Sequence, residues 1–149
     1  MVKSGLESLH HPFTAPHPED VDLIYSDPLK TRGLHYDIVL NGIELGGGSI
    51  RIHNEELQRF VLEEILQLGR ERTNLRFGHL LEALSYGAPP HGGIALGFDR
   101  LILTLCDAKS LRDVIAFPKS SQGNELMTQS PGPVEDSTLS QLFISVNKN

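Results

Sequence analysis

The sequence is poor in several features that would each have pointed to a function. It has one cysteine, Cys106, so no disulfide framework can form within the chain. Its place in an apolar run suits a buried structural thiol. No apolar run reaches the roughly 18 residues of a membrane-spanning helix. Positive charge is scarce, with 13 Lys and Arg against 19 Asp and Glu and a net charge of −6. Such a chain is a poor autonomous binder of nucleic acid, because neutralising phosphates takes clustered Lys and Arg. The opening "MVKSGLESLHHPF" has neither an apolar signal core nor an arginine-rich amphipathic run, so no targeting segment is expected within this chain. There is no P-loop, no dinucleotide fingerprint, no H-E-x-x-H and no nucleophile elbow. Seven histidines invite zinc, but His10, His11 and His17 lie in a proline-rich segment without cysteine partners, and zinc is not expected.

What remains is an ordinary soluble domain of 149 residues, 39% hydrophobic and 21% charged, long enough to bury a core. No internal repeat interrupts it. "HHPFTAPHPED" is too rich in proline for a long helix, and residues 19–26 suit a short one. Residues 54–68 form an amphipathic pattern with Asn54 as cap and Leu57, Phe60, Val61, Ile65 and Leu68 as its stripe. Residues 76–87 read as a second helix, stopped by Gly87 and the Pro89-Pro90 pair. Residues 92–106 read as a buried strand running into a buried helix, and residues 111–119 as a helical turn and short strand. The body of the fold is expected over 1–118. Residues 119–149 are polar and rich in Pro and Gly, a surface extension with a last short strand at 142–146.

"HYDIVLNGIELGGGSIRIH" reads as a hairpin, because Asn41-Gly42 is the strongest two-residue turn signal. The turn sets Leu40 opposite Ile43, Val39 opposite Glu44 and Asp37 opposite Gly46. Tyr36, Ile38, Leu40, Ile43 and Leu45 then form the expected core face. Beyond the turn the apolar positions are odd at 43 and 45 but even at 50 and 52, so one residue must be absorbed. A bulge within Gly46–Ser49 does this. The slip puts Ser49, Arg51 and His53 on the face of Asp37 and Glu44, which become diagonal neighbours roughly 7–8 Å apart or less. Two carboxylates and a guanidinium around bare backbone suit a small polar ligand. Arg51 can grip a carboxylate in bidentate fashion, and Asp37 and Glu44 can hold an ammonium or a divalent cation. The plainer alternative is a solvated face with scattered ion pairs, although such faces rarely need three glycines.

In "HGGIALGFDRLILTL", Gly93, Ala95 and Gly97 share one strand face, which lets a planar ring lie close to the sheet. Arg100 falls in the first turn of the following helix, where a cation opposes the helix dipole and invites an anion such as phosphate. Tight strand packing with Arg100 in a structural ion pair is the competing explanation.

"LHHPFTAPHPED", "YDIVLNGIELGGGSIRIHN", "FGHLLEALSYGAPPHGGIALGFDRL" and "RDVIAFPK" together resemble, in order and spacing, the C-terminal part of the catalytic domain of aspartyl-tRNA synthetases. The bacterial and mitochondrial branch is the closest in pattern. "GGIALGFDR", within residues 92–106, looks like motif 3 of class II synthetases, with Ala95 where the generic motif has glycine. The resemblance implies an α+β fold, part of a class II catalytic core with a mostly antiparallel sheet flanked by helices. It implies ATP-dependent activation of L-aspartate, with Mg2+, and transfer of the aspartyl group to tRNA-Asp. It puts His10, His11 and Arg51 on aspartate, with Arg51 on the side-chain carboxylate. It puts Glu44 and Asp37 on ATP-bound magnesium, and Glu44, Gly97, Phe98, Asp99 and Arg100 around ATP, with Arg100 on the γ-phosphate as a catalytic group. The complete enzyme is expected to be a homodimer, without a membrane, in the mitochondrial matrix or a bacterial-type cytoplasm. The matched part lacks motifs 1 and 2, the anticodon-binding domain and the inserted domain, so this chain alone is expected to have little or no activity. The other readings are a truncated non-catalytic paralogue that binds a ligand or partner, and an ammonia-ligating relative that makes asparagine.

Overall fold

A computed structural model describes residues 6–147. The chain divides into two compact units, one ending at Phe98 and one starting at Asp99. The first holds a three-stranded antiparallel sheet in the order β1 (His35–Leu40), β2 (Ile43–Ile50), β3 (Gly92–Leu96). Asn41 and Gly42 close the β1–β2 hairpin with φ of 52° and 78°, the left-handed pair that such a turn needs.

The register follows the turn through Leu40–Ile43 and Val39–Glu44, then slips, so that Ile38 pairs with Gly46 and Asp37 with Gly47. The absorbed residue is Leu45. The bulge thus falls one position ahead of the glycine tract rather than within it. Leu45 gains from this placement: its side chain is 6% exposed, and its carbonyl accepts a 2.7 Å bond from the N–H of Gly97. The glycines keep a regular ladder, with Gly46, Gly47 and Gly48 paired to β1 on one side and to Leu96, Ala95 and Ile94 on the other.

The core is not on the expected sheet face. Tyr36, Ile38 and Leu40 are exposed, and so are Ile50, Ile94 (50%) and Leu96 (54%) on the same side. A sheet supplies neighbours in its own plane but needs a second layer to bury a face. The buried cluster forms instead where β2 runs out, around Ile24, Ile52 and Val61 with Ala15, Leu57 and Ile65. The strand at 92–96 is therefore formed as expected but exposed rather than buried.

Around this core lie α1 (Leu23–Ser26), α2 (Glu55–Phe60) and α3 (Gly69–Ser85). The Asn54 side chain caps α2, accepting from the N–H of Leu57 at 2.8 Å. The expected helix over 54–68 widens into a single π turn at Val61–Ile65, where Leu66 N–H reaches Val61 O at 3.0 Å. Gln67 and Gly69, both at positive φ, then break the direction. The next helix begins at once rather than at residue 76. Arg59 ties the two helical pieces, pairing with Glu55 and Glu63 and donating to Asn74 of α3. Ahead of β1, Arg32 holds the Asp20 carboxylate through its backbone N–H (3.0 Å), Nε (2.7 Å) and Nη2 (2.9 Å). These bonds keep the Asp20 carboxyl down at about 2.

The second unit contains most of α4 (Phe98–Leu105), a 3-10 turn at Leu111–Asp113 with a Ser110–Asp113 capping box, and α5 (Asp136–Gln141). Four expectations fail here. The helix expected to be buried is formed as α4 but buries none of its residues. Cys106 is exposed, because α4 ends at Leu105 and Cys106 sits in the turn beyond it. The strand expected near Lys119 is only an isolated bridge to Glu125. Residues 142–146 are not a strand, since α5 unwinds there and Phe143 turns at φ 55°.

Candidate functional site

The polar face of the sheet is assembled by the bulge. Because Leu45 is absorbed, Asp37, Val39, Glu44, Gly47 and Ser49 alternate onto one side. Gly93 and Ala95 of β3 share that side through their pairs with Ser49 and Gly47. Arg51, one residue past β2, joins them. Its backbone N–H donates to His91 O at 2.9 Å. Its guanidinium lies over Gly93, where a Cβ would sit 3.5 Å from Nη2.

The three glycines of β2 have separate roles. Cβ atoms on Gly46 or Gly48 would point to the apolar face and run into β3 backbone. The atom on Gly46 would meet Ala95 O and stand 2.9 Å from Leu96 Cα, and the one on Gly48 would meet Gly93 O. They allow the close approach of β3. Only Gly47 faces the polar side, where a Cβ would come 2.5 Å from Asp37 Oδ1. Gly47 therefore leaves Asp37 its place, and beside the small Ser49 it keeps the floor low.

The wall comes from the proline-rich segment, which is stitched to the end of β2. Ala15 N–H donates to Ile50 O and Ile52 N–H to Phe13 O, both at 2.8 Å. Thr14 Oγ1 donates to Ser49 Oγ at 3.1 Å, and Gln58 Nε2 to Pro12 O at 3.1 Å. Gln58 and Ser49 are buried, at 1% and 3% exposure. His11, next to Pro12, is thereby set beside the floor, with His10 one residue before it. The result is a cleft of about 220 Å³ between His10, His11, Thr14, Asp37, Ser49 and Arg51, over Gly47 and Gly48. A second cleft of about 450 Å³ shares His11 and Arg51 and is otherwise walled mainly by Phe13, Leu80, Leu84 and His91.

Of the residues singled out from the sequence, His10, His11, Asp37 and Arg51 are brought into one cleft. Glu44 lies on the same face nearer the turn, outside the lining of that cleft. Gly97 follows β3 and is bonded to the bulge. Phe98 opens α4, with Asp99 and Arg100 in its first turn within the second unit. Among the described residues, no group of three or more His, Cys, Asp and Glu is placed to hold a metal ion. Asp37 and Glu44 supply the hard oxygen donors that magnesium takes, but an ion there needs further ligands such as phosphate oxygens and water. Thr14, Gln58 and His35, which stacks on His10, carry no signal in the sequence, because each acts through a contact between distant segments. Ser49 was legible from the parity of β2.

The fold has counterparts among known proteins. An aspartyl tRNA synthetase structure from Entamoeba histolytica is similar with a TM-score of 0.59 at 22% identity, over 76% of this chain and 21% of that one. That likeness defines the fold, which is α+β with an antiparallel sheet. A sequence model of the family described as tRNA synthetases class II (D, K and N) matches residues 6–121, and the chain belongs to this family. It is 61% identical over 148 residues to the mitochondrial aspartate–tRNA ligase of Dictyostelium discoideum, covering 95% of this chain and 21% of that protein. Identity is 57% over 143 residues to the mitochondrial aspartate–tRNA ligase of Homo sapiens, covering 96% and 22%. It is 57% over 135 residues to the aspartate–tRNA(Asp/Asn) ligase of Opitutus terrae, covering 91% and 23%. The chain thus spans about a fifth of the length of these relatives.

Proposed function

We propose that this chain is the C-terminal part of the catalytic domain of an aspartate–tRNA ligase and supplies its amino-acid subsite. One observation carries the reading. The Arg51 guanidinium lies against Gly93 in a cleft that also holds Asp37 and two histidines, over a low floor of Gly47, Gly48 and Ser49. A dicarboxylic amino acid matches that surface. Its side-chain carboxylate pairs with Arg51 in a charge-assisted, bidentate geometry, and His10 and His11 add ring nitrogens beside it. Asp37 and Glu44 serve the magnesium that accompanies ATP. Gly97, Phe98, Asp99 and Arg100 serve ATP, with Arg100 on the γ-phosphate. These side chains position substrates and balance charge while the aspartate carboxylate attacks the α-phosphate and pyrophosphate leaves. The chemistry needs no protein nucleophile. Transfer to tRNA-Asp, the homodimer and a mitochondrial or bacterial-type setting belong to the same proposal. The body of the catalytic domain extends to residue 118, with an extension over 119–149.

The exposed apolar face of the sheet supports a piece of a larger catalytic domain over a self-contained binding module, since contiguous apolar surface marks contact with further protein. This chain alone is then inactive in aspartate-dependent ATP–pyrophosphate exchange, and measurable exchange by the 149-residue chain would refute the half-site reading. In the full-length ligase, Arg51→Leu costs on the order of 3–5 kcal/mol in kcat/KM for aspartate, because a carboxylate is left facing a site without its partner. A loss below about tenfold, 1.4 kcal/mol, would remove Arg51 from the role.

A further inference from the structure

We infer that His35 is a positioning residue for the cleft, its ring being the platform that fixes His10 in the wall. The inference rests on the proposed reading of the cleft as an aspartate site. His35 opens β1 on the polar face, opposite Ser49 and two residues from Asp37, but it does not line the cleft. The ring of His10 does line it and lies flat on His35, with centroids 3.7 Å apart and planes 27° from parallel.

The two neighbouring histidines are held in different ways. His11 is fixed locally. Its Nδ1 accepts from Phe13 N–H at 3.3 Å, its ring meets Phe13 edge-on at 4.6 Å, and its carbonyl accepts from Thr14 N–H at 3.0 Å. The backbone stitching to β2 starts at Phe13 and runs onward, so it orders the chain after His10 and not before it. His10 lies outside any helix or strand and takes its orientation from the sheet through His35. An imidazole held by its face keeps free the edge that carries both ring nitrogens, which is the edge a carboxylate or amine uses. His35 thus links the first strand of the hairpin to the wall of the site, and it pre-orders a side chain that binding would otherwise have to immobilise.

The test is ATP–pyrophosphate exchange in the full-length ligase with His35→Ala and His35→Phe. His35→Ala raises the KM for aspartate about three- to tenfold, the effect of having to immobilise one more side chain on binding, and leaves the KM for ATP unchanged. His35→Phe keeps a planar platform and restores the aspartate KM to within about twofold. The inference is overturned by an unchanged aspartate KM in His35→Ala, by a parallel rise for ATP, or by His35→Phe behaving like His35→Ala. Arg51→Leu separates the two layers. If it leaves the aspartate KM unaltered, the site reading falls and the inference with it. If it raises that KM while His35→Ala does not, the inference alone falls.

Discussion

Gly48→Ala is the sharpest perturbation of the sheet that carries the site. A Cβ at Gly48 would collide with the carbonyl oxygen of Gly93 and stand 2.9 Å from its carbon and 2.8 Å from Tyr36 Cε2. The Tyr36 ring can swing, but the Gly93 carbonyl belongs to the paired strand and cannot yield without opening the β2–β3 ladder. Overpacking that side chains can absorb costs about 1–3 kcal/mol. With backbone as the obstacle, the expected cost is at least about 3 kcal/mol, roughly a hundredfold rise in ladder opening or more. Hydrogen exchange at the β2 amides of the full-length protein reads this directly, with Gly47→Ala as the companion. At Gly47 the added Cβ is crowded by the end of the Asp37 side chain, at 2.5 Å from Oδ1, while its nearest backbone neighbour, Tyr36 O, stands at an ordinary 3.5 Å. That carboxylate can rotate away, so the ladder loses less than about 1 kcal/mol while Asp37 leaves its place in the cleft. If Gly48→Ala exchanged within about threefold of the parent, roughly 0.7 kcal/mol, the close approach of β3 would not be what demands glycine there.

Two further predictions concern elements away from the cleft. The Asp20 carboxyl is held at about 2 by the Arg32 side chain first and the Arg32 backbone N–H second. Its unfolded value is about 3.9, so its contribution is complete above about pH 4 and is lost as pH falls through about 2. Melting temperature followed across that window falls in the parent, and Asp20→Asn removes that part of the slope. A slope unchanged in the mutant would take the stabilising role from this pair. Gly78 sits inside α3, and a Cβ there meets nothing within 4 Å. Gly78→Ala should therefore stabilise by about 0.5–1 kcal/mol. A drop in melting temperature would mean that the helix surface there is covered by something else in the full protein.

Reading the chain from its sequence succeeded where the signal was local. Asn41-Gly42 sets the turn, Asn54 caps α2, Gly87 ends the region of α3, and the parity change between Leu45 and Ile50 requires a bulge. The parity even delivers the chemical result, since any single-residue slip between those positions puts Asp37, Glu44 and Ser49 on one face. It cannot locate the slip. That was decided by a contact from outside the hairpin, the Gly97 N–H bonding to Leu45 O, together with the burial of Leu45. The π turn at Val61–Ile65 escaped for a similar reason, because a helical stripe with one residue too many looks continuous until Gln67 and Gly69 reverse the chain. The core face was misjudged because alternation identifies an apolar side but not whether a second layer covers it.

The same distinction explains why so much of the wall was invisible. His10 and His11 stood out as histidines beside a proline, yet nothing near them in sequence says that Pro12 will be held by Gln58, Thr14 by Ser49, and His10 by His35. Each partner lies on a different element, and each contact joins segments that are far apart in sequence. Arg51 depends on contacts of the same kind, since its own position follows from the Thr14–Arg51 bridge on one side and the His91 carbonyl on the other. Floor and wall are therefore not independent. The glycines of β2 admit β3, β3 brings the His91 carbonyl and Gly93 to Arg51, and the proline-rich segment closes over the same residue. A substitution that loosens any one of these strands should reach the site through Arg51. The glycine that matters most for ligand binding need not be Gly47, and Gly48, whose Cβ direction faces away from the cleft, is the one whose loss would shift the guanidinium.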